Sequence, residues 1–244
     1  MKKGRFVVFD GLDGVGKAVF INECIEEAKK EGRKVFDIHD FWKVKSHHPS
    51  FDQLADQEVI IISEPTFVNI GKQIREELIA KNGRDYSPQA VAEAYALDRR
   101  ILYEMVILPA LDRGIDVFQS RSISTTIIYQ RQSALDRGEE FSVKDILAIP
   151  GNAFCMKYLM DFLIILTIKD VEQALKRFSE REKDDNCSFE NLEFQLKIKK
   201  QYESDEFRKI FEDKGVKVIY LDAGKSLEFS KEQAREFYRM YLSN

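Results

Sequence analysis

The sequence predicts an α/β fold: a doubly wound parallel sheet of about five strands flanked by helices. Three observations predict it. Short runs rich in β-branched and aromatic residues alternate along the chain with longer segments of helical composition and spacing. The first of these runs ends in a glycine-rich turn, Phe9-Asp10-Gly11-Leu12-Asp13-Gly14-Val15-Gly16-Lys17, that opens directly into a helical segment. The strand runs are also apolar throughout, as suits parallel strands covered on both faces. Folds of this class bind ligands at the carboxyl ends of their strands.

The elements follow in order. Arg5 to Phe9 reads as the first strand and Lys17 to about Lys30 as the first helix. Lys34 to Ile38 and Val59 to Ile62 are the next two strands. The stretch between them, Asp40 to Gln57, is rich in Lys, His, Ser and Pro and reads as a long surface excursion. Gly71 to about Ala80 is helical. Ser87 then serves as an N-cap, with Pro88 at the first helical position, for a long helix ending near Asp112, where Arg113-Gly114 supplies the stop. Ile115 to Gln119, Phe162 to Ile168 and Val216 to Leu221 are the remaining strands, with helical segments between and after them. Internal repeats, low-complexity stretches and linkers are lacking, so one domain over residues 1–244 is expected.

Composition narrows the function. A 244-residue chain with 44% hydrophobic and 33% charged residues is long enough to bury a sizeable core. The longest apolar run, Phe162 to Ile168, falls far short of the roughly 20 residues a membrane span needs. The amino terminus leaves no room for a signal peptide, so a cytoplasmic location is expected. Cys24, Cys155 and Cys187 lie far apart, and His39, His47 and His48 form no ligand pattern with them, which disfavours a zinc site or a disulfide framework. A net charge of −4 argues against broad nucleic-acid binding, yet leaves room for a local cationic pocket that takes a nucleotide.

The glycine turn follows the phosphate-loop pattern G-x-x-x-x-G-K-[ST] through Gly11, Gly16 and Lys17 and departs from it at the end. Glycines let backbone N–H groups crowd round phosphates, and the lysine reaches the terminal phosphates. Ala18 stands where a hydroxyl would meet Mg²⁺, and Val19 supplies no substitute. Lys17 at the first turn of a helix sits where the macrodipole disfavours a cation, a sign that a bound anion reverses. Asp13 inside the loop would repel phosphates unless a metal, a water shell or a cationic partner lies between them.

Further blocks carry a resemblance to the thymidylate kinase family of phosphate-loop nucleoside monophosphate kinases. The stretch "FDGLDGVGK" resembles F-x-G-x-D-G-x-G-K. Ser63-Glu64-Pro65-Thr66, followed by Gly71-Lys72-Gln73-Ile74-Arg75, resembles R-E-P-[GT] and G-x-x-I-R. Tyr95-Ala96-Leu97-Asp98-Arg99 resembles F-x-x-[DN]-R. Ser120-Arg121-Ser122 with Thr126 and Tyr129-Gln130 is similar to D-R-[YS] and its downstream S-x-x-[AY]-Y-Q. Glu180 to Phe194 is similar to the lid and the segment after it. These blocks stand in family order over nearly the whole chain.

The resemblance implies a phosphate-loop NTPase-like fold with a helical lid at about 177–190, and ATP-dependent phosphorylation of dTMP to dTDP on the route to dTTP. It implies ATP phosphate contacts from Gly11, Gly14, Val15, Gly16, Lys17 and Ala18, with Lys17, Asp13, Arg121 and Arg181 in catalysis. It implies dTMP contacts from Glu64, Pro65, Arg75, Tyr95, Arg99, Arg121, Thr126 and Tyr129. Tyr95 and Arg99 lie four apart and share a helix face, so a ring can stack on the base while a guanidinium reaches phosphate. Mg²⁺ is implied as cofactor, held mainly through waters and phosphates, with Asp13 as the candidate protein group. ATP and dTMP are the implied partners, with neither nucleic acid nor membrane, in a homodimer.

Four positions depart from the family pattern: Ala18; Ser63, where an acceptor-binding arginine is usual; Ser120, in place of the aspartate of D-R-Y; and Asp185-Asn186, in place of Asp-Arg in the lid, which leaves Arg177, Arg181 and Lys183 as its cations. Two other readings stay open: a nucleotide-binding homologue that transfers weakly or not at all, and a kinase for another small nucleotide acceptor.

Overall fold

The computed structural model describes residues 3–179 and 191–243, without the side chains of 177–179. The expected lid, with Arg177, Arg181, Lys183 and Asp185-Asn186, therefore lies outside the described side chains. Six strands form one parallel sheet in the order β2-β3-β4-β1-β5-β6: β1 Phe6–Gly11, β2 Val35–Asp37, β3 Val59–Ser63, β4 Asp116–Ser120, β5 Phe162–Thr167 and β6 Lys217–Asp222. The sheet is one strand wider than the count of about five, and each of the six apolar runs in the sequence contributes a strand.

Central β1 pairs with β4 on one side and β5 on the other. The connection leaving β1 runs toward β2, whereas the one leaving β5 runs outward to β6. The carboxyl end of β1 is thus the topological switch point where this architecture opens a crevice. All six residues of β1 are buried, so its apolar side chains serve both layers of helices. Phe9 packs edge-on against Phe237 of the carboxyl-terminal helix, and Phe6 against Tyr103 on the opposite face. Full burial of such side chains stabilises the fold by about 1.5–3 kcal/mol each.

Helix α1, Lys17–Lys30, follows the glycine turn. The stretch read as a surface excursion is more ordered than that reading: it holds α2, Ile38–Val44, and α3, Phe51–Leu54. Trp42 and Leu54 reach the core from it, at 5% and 0% exposure, and a capping box between Ser50 and Gln53 starts α3. Its polar composition hid this, because two short helices need only a few apolar side chains to anchor them.

Next comes α4, Asn69–Gln73, running on into a π-helical turn over Ile74–Leu78. The long helix capped by Ser87 is α5, Pro88–Leu102, continued by a π-helical turn at Tyr103–Ile107 and α6, Leu108–Asp112. Its amino and carboxyl limits are those the capping signals predict. Beyond β4 lie α7, Ile123–Asp136, α8, Val143–Ala148, and α9, Pro150–Cys155. A Cβ at Gly151 would stand 2.2 Å from the Ala96 carbonyl oxygen, so glycine there lets α9 press against α5. The remaining helices are α10, Val171–Ser179, α11, Leu192–Tyr202, α12, Asp205–Glu212, and α13, Leu227–Tyr241.

Candidate active site

The glycine turn closes β1 against β5 and aims α1 at the crevice. A Cβ on Gly11 would meet the Leu166 carbonyl oxygen at 2.5 Å. Gly14 and Gly16 take φ of 71° and 98°, a left-handed backbone that glycine adopts without steric cost. Gly16 is the N-cap of α1, with no side-chain cap and no acidic residue in the first turn. The orphan N–H groups of that turn and the positive end of the helix dipole together favour an anion. Lys17 folds back along the loop and donates from Nζ to the Gly11 and Leu12 carbonyls at 3.2 and 2.8 Å. Ala18 is exposed, with only a methyl group facing outward.

Asp13 is the hub of the loop. Its carboxylate is ion-paired with Arg121 and accepts from Tyr129 Oη at 2.9 Å and Gln195 Nε2 at 3.0 Å. Its backbone N–H donates to Gln195 Oε1 at 3.2 Å. Burial is the largest influence and pushes the Asp13 carboxyl up. The charges of Arg121 and Lys17 and the hydrogen bonds of Tyr129 and Gln195 together outweigh it, and the group stays below its ordinary range. Arg121 itself has φ of 66°, turning the chain sharply at the end of β4, and its guanidinium lies 5.3 Å from the Tyr129 ring. The loop carboxylate therefore has the cationic partner that its place among phosphates demands.

A second network lies on the α5–α7 side of the sheet. Arg99 is fully buried, and its guanidinium donates to Glu64 Oε2 at 2.8 Å, Asn152 Oδ1 at 2.5 Å and Thr126 Oγ1 at 2.7 Å. Glu64 also accepts from Gln119 Nε2 at 2.9 Å. Burial pushes the Glu64 carboxyl up to about 7, against the pull of Arg99. Asp98 fixes the turn after Glu64-Pro65 by accepting from the N–H and hydroxyl of Thr66 at 2.8 and 2.7 Å. Arg75 donates from Nε to the Pro65 carbonyl at 3.0 Å and stacks 3.8 Å from the Phe67 ring. Tyr95 is half-buried one turn before Arg99.

One helix joins the two networks. Thr126 and Tyr129 of α7, three apart and so on one face, hold Arg99 and Asp13 respectively. Ser124 and Thr125 of the same helix donate to Asp10, fully buried at the end of β1, which also accepts from Tyr202 Oη at 3.0 Å. The structure thus gathers Asp13, Lys17, Arg121 and Tyr129 into one group and Glu64, Arg99 and Thr126 into another, with Arg75 beside Pro65.

Sequence reasoning missed Asp10, Asn152, Gln195 and His39. Asp10 carried a signal, a carboxylate inside an apolar strand run, because such a residue is buried only with partners. Asn152 and Gln195 carried none: each reaches the site from a distant part of the chain. Among the described residues no three His, Cys, Asp or Glu side chains come together as a metal cluster. The donors present fit a Mg²⁺ ion held mostly by phosphates and water, since Asp13 is the loop's one carboxylate and position 18 offers no hydroxyl.

Fold and site together define a phosphate-loop nucleotide-binding phosphotransferase. A family model, "Thymidylate kinase", matches residues 50–234, well over half of the chain. The chain belongs to the thymidylate kinase family. It is 28% identical over 200 residues to a thymidylate kinase from a Thermoanaerobacter species, covering 82% of each chain. It is 23% identical over 234 residues to one from an Exiguobacterium species, covering 96% of this chain and 93% of that one. Among solved structures, thymidylate kinase from Candida albicans superposes with a TM-score of 0.64 at 18% identity, covering 98% of this chain and 92% of that one, a likeness of fold.

Proposed function

We propose that the chain transfers the terminal phosphoryl group of ATP to dTMP, forming dTDP on the route to dTTP. The observation that carries this reading is the Asp13–Arg121–Tyr129 cluster, set directly beside Lys17 and the glycine loop at the switch point. Phosphoryl transfer is largely positioning plus charge neutralisation, and the attacking oxygen of a nucleoside monophosphate is already ionised. Such a reaction needs cations and a loop more than a general base. In this reading the loop amides and Lys17 take the triphosphate, displacing the Lys17 contacts to Gly11 and Leu12, and Arg121 exchanges part of its pairing with Asp13 for substrate phosphate. Glu64, Pro65, Arg75, Tyr95, Arg99, Thr126 and Tyr129 line the acceptor side. Arg99 orders Glu64 and Thr126 there, and the lid cation is Arg181. Asp13 would hold Mg²⁺ through its waters, and the bound ion would supply charge neutralisation on the transferring group.

A coupled ADP-release assay across nucleoside monophosphates tests this directly. Turnover with dTMP above the other acceptors is expected, and none at high enzyme concentration would falsify it. One observation favours a second reading, a homologue that binds nucleotide without transfer: the absence of a hydroxyl at Ala18. Tight ATP binding indifferent to Mg²⁺ would support it.

The protein is further read as a cytoplasmic homodimer. Leu97 and Met105, on α5 and the turn after it, are 48% and 54% exposed and offer apolar surface for pairing. No helix among the described residues is long and apolar enough to cross a membrane. Light scattering of the purified protein reads the mass.

A further inference from the structure

At the carboxyl end of β3, Ser63 Oγ lies 2.8 Å from His39 Nε2, and His39 Nδ1 lies 2.6 Å from Asp37 Oδ1. The same Asp37 oxygen accepts the His39 backbone N–H at 2.9 Å as the N-cap of α2, so ring and backbone are pinned together. A carboxylate at Nδ1 fixes the ring's orientation and leaves Nε2 to the serine. Burial pushes the Asp37 carboxyl up as the largest influence, but the hydrogen bonds and charge of His39 outweigh it and hold the group below its ordinary range.

This line of groups sits beside the phosphate-binding edge. Ser63 pairs in register with Ser120, the residue before Arg121, and Glu64 N–H donates to the Ser120 carbonyl at 3.0 Å. Next to it, Phe67 presents a ring that is 44% exposed, with the Arg75 guanidinium 3.8 Å away and the His39 ring 5.7 Å away. A partly exposed ring capped by a guanidinium, beside an imidazole–hydroxyl pair, matches a ligand that carries an anionic phosphate.

We propose that His39 and Ser63 form a phosphate-recognition element of the acceptor site. With Nδ1 held on Asp37, His39 Nε2 backs Ser63 Oγ, and the Ser63 hydroxyl donates to an oxygen of a bound phosphate monoester. The imidazole then comes from α2 and the hydroxyl from the end of β3, in place of the arginine that the family resemblance puts at position 63. The groups that bear on the ring support this. Asp37 faces it from β2, and Arg75 lies across Phe67. His48, beyond Trp42, is kept neutral by burial. Asp40 and Lys43 of α2 pair with each other. The inference rests on the acceptor being a nucleoside monophosphate, as proposed above.

The test is calorimetric titration of dTMP, and separately of thymidine, into wild type, His39→Gln and Ser63→Ala. Wild type is expected to bind dTMP more tightly than thymidine. His39→Gln should weaken dTMP about ten- to a hundredfold, the usual worth of a hydrogen bond to a charged group, while thymidine affinity stays unchanged. Ser63→Ala should weaken dTMP in the same sense, and Ser63→Arg on the His39→Gln background should restore it. Undiminished dTMP affinity in either single variant overturns the inference, as does a phosphorylated Ser63 after incubation with ATP, which would make the serine a nucleophile. Failure of wild type to bind or phosphorylate dTMP overturns the acceptor reading and this inference together. Parity of the variants with a working wild type overturns this inference alone.

Discussion

Arg99 and Arg121 stand in two similar-looking motifs, yet the structure treats them differently. The Arg121 side chain keeps 18% of its surface exposed and pairs with one carboxylate, Asp13, at the mouth of the crevice. The Arg99 side chain is 0% exposed and has Glu64, Asn152 and Thr126 on its guanidinium. A partly exposed pair can be exchanged for a ligand at modest cost, because water and phosphate replace what is lost. A fully buried one cannot lose a partner without stranding a charge. The Asp13–Arg121 cluster is thus built to be rearranged, and the Arg99–Glu64 network to hold its shape.

The sharpest way to break this contrast is Arg99→Ala. It should cost about 3–5 kcal/mol of stability by leaving Glu64 uncompensated, read as a shift of the urea midpoint. A change well below that would mean Arg99 is a ligand-side group after all. Arg121→Ala should do the reverse: turnover falls about 10²- to 10³-fold, with a far smaller change in midpoint. Lys17→Ala should lower turnover at least as much in the same assay.

One buried group outside both networks, His48, should carry an acid-sensitive part of the stability. His48 is buried with both ring nitrogens unpartnered, and burial pushes it down to about 4. Its folded value lies below the unfolded one, so the unfolded chain binds the proton first. The stability that neutral His48 contributes is fully present above about pH 6.5 and is lost as pH falls toward 4, about 3 kcal/mol in all. Glu64, raised by burial, works the other way over the same window, so the difference between wild type and His48→Leu isolates the histidine. Denaturant curves at pH 7 and pH 4.5 should show the His48→Leu variant gaining stability relative to wild type as the pH falls. Asp13, lowered beside Arg121, adds its own loss only below its ordinary range.

The smallest effect tests the glycine loop alone. Ala18 is exposed, so Ala18→Thr introduces a hydroxyl without a clash. Turnover should stay level or rise a few-fold, and any gain should grow as Mg²⁺ is made limiting.

Much of this was legible in the sequence because it is local. The phosphate loop is a backbone shape, and Gly11, Gly14 and Gly16 announce it at fixed spacing. The Ser87-Pro88 start and Arg113-Gly114 stop likewise fix α5 and α6 by satisfying orphan backbone groups nearby. The polar stretch from Asp40 to Gln57 was misleading for the opposite reason: burial of Trp42 and Leu54 depends on α2 meeting β3 and α3 meeting α6, which composition does not show.

By itself, the sequence determined the strand and helix order, the position of the phosphate loop and the kinds of side chain available to hold phosphates, all set by interactions a few residues long. Only the tertiary structure decided which of those side chains are spent on each other. Asp13 meets Gln195, Arg99 meets Asn152, and Ser63 meets His39 across long stretches of chain. Whether a charge is open to a ligand or locked in the core depends on what burial brings beside it, and spacing along the chain carries no record of that.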